Sequence, residues 1–286
     1  MSLVAAPLAA QAAPGTDVFL VRVRGGAAAT IADPPVNLTR RPGYDNQPAF
    51  APDGRSLLFT SIRGDGQADI YRVDLASRAV TQVTRTAESE YSPTPLPTGS
   101  GFSVVRVERD SAQRLWAFND AGGAPVLLLP DIAPVGYHAW LDDSTLALFV
   151  LGAPSTLQFA NLRTGEHRVI ARDIGRSLQR VPGSRRCSFL EHEGGGWALE
   201  TADPAAPDGA VRRLAAMPPG AEYVVWASPT VALTASGTLV YRLDVGAGAA
   251  WTPVADFAQE GLRELSRLAI SPDGRWLAVV ADDQRP

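Results

Sequence analysis

From position 47 to position 84 the chain alternates apolar and polar residues in four short runs, and the same beat returns along the rest of the sequence. The runs fall at 47–51, 55–61, 69–75 and 80–84. Between them stand Pro52–Asp53–Gly54, Gly64–Asp65–Gly66 and Ala76–Ser77–Arg78, mostly residue types that reverse a chain sharply. A period of two predicts β-strands, here four per unit, named a to d from the innermost outward. The equivalent of Gln47 recurs at Ser92, Tyr137, Ser177, Tyr223 and Arg267, 40 to 46 residues apart, which predicts six units. A four-stranded unit of this length cannot cover its own apolar faces and must stack on its neighbours. The pattern therefore predicts an all-β fold, a six-bladed β-propeller with four-stranded antiparallel blades.

The sixth unit has strand a after Arg267 and strand b at 276–281, and then the sequence ends. Its missing partners are found at the other end, where 17–24 reads as strand c and 36–39 as strand d. We expect these strands to complete the last blade and close the ring, with Phe19 and Trp276 in one sheet, because an open edge invites pairing with other chains. Residues 17–286 then form a single propeller domain. Residues 1–16 read as the remnant of a secretory signal, rich in alanine with small residues at cleavage-type spacing, or else as a flexible tail. The signal reading implies a periplasmic or secreted protein.

Composition narrows the partners. With 26 Lys and Arg against 30 Asp and Glu, a formal net charge of −4, and no long run of like charges, nothing suggests a nucleic-acid partner. No apolar stretch approaches the ~18 residues of a membrane span. The 26 glycines and 23 prolines are spread over turns, as many short strands require. The single cysteine, Cys187, sits in an alternating strand and reads as a buried structural thiol. A monomer is expected.

The first unit also carries a family resemblance. Pro48–Ala49–Phe50–Ala51–Pro52–Asp53–Gly54, Leu57–Leu58–Phe59–Thr60–Ser61, Asp69–Ile70–Tyr71, Val73–Asp74 and Val83–Thr84 resemble the repeat of the TolB-like, PD40 (WD40-like) six-bladed propellers. One unit matches closely, the sixth in part, and the others by spacing. The resemblance implies the propeller fold and a family of periplasmic proteins that bind other proteins, with cell-envelope components among the expected partners. It also includes propellers attached to serine peptidases. No Gly–x–Ser–x–Gly elbow occurs and no second domain is expected, so the peptidase branch does not apply.

In a propeller the d–a and b–c connections share one face, the top, and the a–b and c–d turns the other. The top mouth of the channel is then lined by residues at the start of each strand a. The candidates for binding are Asp45, Asn46, Glu90, Tyr91, Tyr137, His138, Arg176, Glu222, Tyr223 and Arg267, a polar and aromatic set of mixed sign suited to recognising a protein or peptide. No catalytic residue and no cofactor is expected on this reading. One alternative is a small-molecule hydrolase or lyase of the Ca²⁺-dependent lactonase type, using Asp45, Asn46, Glu90 and Glu222 and opposed by Arg176 and Arg267. Another is a carbohydrate-binding module using Trp140, Trp226 or Tyr91. His138, His167 and His192 are expected to lie apart, Glu191 to Gly196 to form a solvated hairpin, and Arg63–Gly64–Asp65 to be a turn.

Overall fold

The structure is a computed structural model and describes residues 15–24, 30–31, 33–248 and 250–282. The signal-remnant reading of the N-terminal segment falls outside the described residues, apart from its last positions, where the first strand has already begun. In chain order, β1 (Thr16–Arg24), β2 (Thr30–Ile31) and β3 (Val36–Asn37) precede five complete blades. Blade one is β4 (Asp45–Phe50), β5 (Ser56–Ile62), β6 (Ala68–Asp74) and β7 (Val80–Gln82). Blade two is β8 (Ser89–Pro95), β9 (Phe102–Val107), β10 (Gln113–Phe118) and β11 (Val126–Leu128). Blade three is β12 (Val135–Trp140), β13 (Thr145–Val150), β14 (Thr156–Asn161) and β15 (His167–Arg172). Blade four is β16 (Ile174–Arg180), β17 (Cys187–Glu193), β18 (Gly196–Ala202) and β19 (Arg212–Ala216). Blade five is β20 (Val224–Trp226), β21 (Val231–Ser236), β22 (Leu239–Asp244) and β23 (Thr252–Asp256). The sixth begins with β24 (Leu268–Ile270) and β25 (Trp276–Asp282).

Blade six is completed as expected. β25 pairs antiparallel with β1 from Thr16↔Asp282 to Arg22↔Trp276, placing Phe19 opposite Val279. The outermost position, expected as one strand, is split. β2 pairs at Val23↔Ile31 and β3 at Phe19↔Asn37, so two short strands share the edge of β1.

Successive side chains of a strand point to opposite faces, and here both faces are buried. Val18 and Leu20 of β1 join Phe50, Leu57 and Phe59 of blade one. Phe19, Val21 and Val23 turn the other way onto Val225, Leu233 and Phe257 of blade five. The same division recurs around the molecule: the described residues form six apolar clusters, one at each junction between neighbouring blades. A fully buried Val, Leu, Ile or Phe contributes about 1.5–3 kcal/mol, so the ring is held blade to blade. Cys187 lies inside one junction, fully buried, and burial pushes its thiol up to about 12.

The turns follow their sequence. In Pro52–Asp53–Gly54, Asp53 Oδ1 accepts from the Arg55 amide at 2.9 Å and Gly54 takes φ +67°. In Pro272–Asp273–Gly274 the matching values are 3.0 Å and +69°. Two copies 220 positions apart thus reverse the chain in the same way, with glycine where a side chain would be strained. Arg63–Gly64–Asp65 is likewise a turn, closed by Gly66 N donating to Arg63 O at 2.8 Å, and the Arg63 guanidinium lies over the Tyr71 ring at 3.9 Å. Among the described residues no helix is long and apolar enough to cross a membrane.

Candidate functional site

The first strand of each blade runs along the ring axis, and its side chains enclose a cavity of about 470 Å³. All six blades contribute equivalent windows: 47–50, 92–95, 137–140, 176–180, 223–226 and 267–270. Tyr137, Arg176, Tyr223 and Arg267 lie at the end where these strands begin. Trp140, Arg180 and Trp226 lie at the other end.

The opening is crossed by one contact. Arg267 of blade six donates from Nη2 to Tyr137 Oη of blade three at 2.6 Å, and these blades face each other across a ring of six. The same guanidinium lies 4.9 Å from the Tyr137 ring centroid and 4.3 Å from that of Tyr223, a cation over aromatic faces. Tyr44, just before β4, lies within electrostatic range of this group, and burial raises its phenol pKa. Burial likewise raises Tyr223, so both hydroxyls stay neutral at physiological pH. Tyr137 is held from behind by an edge contact to Phe149, ring centroids 5.8 Å apart.

Five of the ten expected binding residues meet at the channel: Tyr137, His138, Arg176, Tyr223 and Arg267. The others lie elsewhere. Asp45 is fully buried in blade one, accepting from Ser61 Oγ at 2.5 Å and Arg41 Nη1 at 2.8 Å. Burial raises its pKa, with Ser61 and Arg41 opposing. Asn46 donates to Thr16 Oγ1 at 3.3 Å, tying blade one to β1. Glu90, also fully buried, accepts from Thr86 Oγ1 at 2.5 Å and Arg106 Nε at 3.1 Å, and burial raises its pKa. Tyr91 is half-buried outside the channel lining but within electrostatic range of Tyr44. Glu222 is exposed beside Tyr223.

A backbone feature accounts for the displaced acids. Gln47 and Ser92 take φ +56° and +54°, and the pairing of their strands shifts register between Asn46 and Ala49 and between Tyr91 and Thr94. Such a bulge bends the strand and re-aims its side chains, so Asp45, Asn46 and Glu90 turn into the blade walls. Sequence reasoning also missed Tyr44 and Arg180. Tyr44 precedes the window in which mouth residues were sought. Arg180 lies at the far end of β16, beyond the strand starts where mouth residues were expected.

His138 is buried, lowered by that burial to about 3, and shares a 2.6 Å hydrogen bond from Nε2 with Ser103 Oγ. Ser103 is itself fully buried and accepts from Trp140 Nε1 at 2.9 Å, so the pair braces blades two and three. Trp226 donates to Ser188 Oγ at 2.8 Å between blades four and five in the same way. His167 and His192 are exposed and far from this pair in the fold, in β15 and β17. In the hairpin after His192, Glu193 pairs with Arg213 at 2.7 Å. Among the described residues no three His, Cys, Asp or Glu side chains gather as a metal site.

Comparison with known proteins gives the fold a context. No family model matches the chain. A 73-residue stretch is 34% identical to an uncharacterized protein of Agrobacterium fabrum, covering 26% of this chain and 25% of that protein. A 60-residue stretch is 38% identical to the Tol-Pal system protein TolB of Bordetella pertussis, covering 21% of this chain and 12% of TolB. The chain thus matches a quarter or less of the length of these relatives. Among solved structures, a TolB-type protein from Agrobacterium tumefaciens superposes with a TM-score of 0.74 at 16% identity, over 96% of this chain and all of that one. A gluconolactonase from Xanthomonas campestris superposes with a TM-score of 0.66 at 12% identity, over 96% and 99%. The architecture is that of the TolB-like six-bladed propellers.

Proposed function

We propose that the protein is a non-catalytic, extracytoplasmic scaffold that binds a protein or peptide at the mouth of its channel, with Tyr223 and Arg176 among the anchors. One observation carries the reading: the ring brings tyrosines and arginines from blades three, four, five and six to a single opening. Tyr and Arg are the side chains that most often dominate binding energy at interfaces. The short match to a Tol-Pal system protein and the resemblance of blade one to TolB-like repeats favour a cell-envelope setting and a macromolecular partner.

The gluconolactonase neighbour keeps an enzyme reading in view. That reading asks for several oxygen ligands in one coordination sphere. Asp45, Asn46 and Glu90 are committed to separate partners in the blade walls and Glu222 stands outside the cavity, which favours binding over metal-assisted hydrolysis. For sugar binding, Trp140 and Trp226 would have to offer ring faces, yet they are 8% and 5% exposed and hydrogen-bonded into the junctions.

The test is affinity capture from a cell-envelope extract. Tyr223→Ala and Arg176→Ala should each weaken capture of the partner by about tenfold, while thermal unfolding changes little for the exposed Arg176. Capture unchanged by both substitutions would reject the mouth as the site.

A further inference from the structure

The charges that face the cavity are of one sign. Its lining holds Arg176, Arg180 and Arg267 and no Asp or Glu, in a chain whose acids outnumber its bases. Elsewhere in the molecule arginines find carboxylates: Arg41 with Asp45 at 2.8 Å, Arg106 with Glu90 at 3.1 Å, Arg185 with Asp142 at 2.6 Å. Among the described residues, none of the three channel arginines lies within ion-pair distance of an acid. The Arg180 guanidinium donates from Nε to Ser184 O at 2.7 Å, and Arg176 stands exposed over the opening. Arg267 has the Tyr137 hydroxyl as acceptor and aromatic rings on its faces.

A guanidinium carries five N–H donors in a planar fork shaped for a carboxylate. In a concave site shielded from water its attraction for an anion is stronger than at an open surface. Arg267, with one hydrogen bond to Tyr137, has donors to spare. Its phenol partner offers one oxygen, whereas a carboxylate offers two and a full negative charge, which adds ion–ion attraction and a second parallel N–H···O bond.

We propose that the mouth is a carboxylate site: an acidic group of a peptide enters between Tyr137 and Tyr223, takes a bidentate seat on Arg267 in place of the Tyr137 hydroxyl, and meets Arg176 as a second cation at the rim. This deepens the peptide-binding reading above and rests on it. The Arg267–Tyr137 contact is then a bar across the channel that the ligand's charge draws aside. The carboxylate is supplied by a glutamate or aspartate side chain or by a chain terminus, and the test separates the two.

The full chain is titrated calorimetrically with three pentapeptides. One is capped at both ends with two central glutamates, the second is its glutamine counterpart, and the third is all-alanine with a free C-terminal carboxylate. Binding of the first or the third at least about tenfold tighter than the glutamine peptide is expected, with the tighter of the two naming the source. Arg267→Gln and Arg176→Gln should each weaken that binding by about tenfold or more, and it should weaken with added salt. Tyr137→Phe, which removes the competing acceptor and keeps the ring, should tighten it a few-fold. A merely structural tyrosine would not produce that gain. Should Arg267→Gln unfold, the exposed Arg176→Gln and Tyr137→Phe decide.

No binding of either carboxylate peptide at about 1 mM, equal binding of the glutamine peptide, or weaker binding by Tyr137→Phe overturns the proposal. Partner capture that depends on Tyr223, together with equal binding of all three peptides, removes the carboxylate and leaves the binding scaffold standing. Capture independent of Tyr223 and Arg176 removes both.

Discussion

Gln47 shows how much one side chain does in this ring. Its Oε1 accepts from Thr60 Oγ1 at 2.7 Å within blade one and from the Ser92 amide at 2.8 Å in blade two. Its own amide donates to Asn46 Oδ1 at 2.7 Å, which supports a left-handed backbone that costs a non-glycine residue of order 1 kcal/mol. Gln47→Ala leaves the Ser92 amide with only the longer contact to Thr60 Oγ1, 3.3 Å away. We expect a loss of about 1–3 kcal/mol, measured as a lower denaturant midpoint with the slope unchanged. A midpoint equal to the parent's would show that this tie between blades carries no weight. The same residue marks the limit of what the sequence reveals. Gln47 and Ser92 each precede a proline, but neither signals positive φ, so their place at the start of strand a put Asp45, Asn46 and Glu90 at the channel mouth and the bulges took them out. Tyr137, Arg176, Tyr223 and Arg267 were legible because β12 and β16 keep Tyr137 and Arg176 facing the axis despite their own register shifts, and β20 and β24 pair with none.

At the scale of elements, the strands of blade one were readable to within two residues, because Pro–Asp–Gly and Gly–Asp–Gly fix where they end. The outer edge of blade six was not. Gly25–Gly26 and Asp33–Pro34–Pro35 announce turns in the stretch joining β1 to β3, but the two-residue β2 is too short to show an alternation, and its pairing is set by the β1 edge it lands on. The strand pair β17–β18 holds a feature that alternation alone conceals. Glu200 and Glu191 sit diagonally on one face, and burial, then the Glu191 charge and a hydrogen bond with it, push Glu200 up to about 7. A carboxyl raised above its unfolded value favours the fold when protonated. That contribution is complete below about pH 4.5, the unfolded range, and is lost as pH rises through about 7. Glu200→Gln keeps a hydrogen-bonding group and removes the charge. The variant should match the parent near pH 4.5 and be the more stable at pH 8, by about 1–3 kcal/mol. Melting temperatures of the two proteins that run parallel across this range would refute the shift.

At the scale of the whole molecule, β1 serves two junctions at once, sending Val18 and Leu20 to blade one and Phe19, Val21 and Val23 to blade five. The ring therefore depends on a seam between strands far apart in sequence, whose closure must repay the entropy of a very long loop. The seam has the geometry of an ordinary hairpin: Thr16 stands opposite Asp282, and their amides turn outward, to Gly43 O at 3.0 Å and Arg263 O at 3.1 Å. A loop of about four residues spans such a pair. Joining Asp282 to Thr16 in this way, and opening the chain instead at the exposed tip between Gly194 and Gly195, converts the seam into a local hairpin. The permuted protein should give the parent's β-type circular dichroism and bind the same partner. It should also fold faster, because contacts once separated by the whole chain become neighbours. Its blade-six amides, from β25 and β1, should exchange with solvent more slowly relative to those of blade four, where the new ends lie. Faster exchange in blade six, or a permutant that does not fold, would mean that the N-terminal strand docks for reasons other than ring closure. The carboxylate site would then lose its frame, since Arg267 and Tyr137 are brought together only by a ring that is closed.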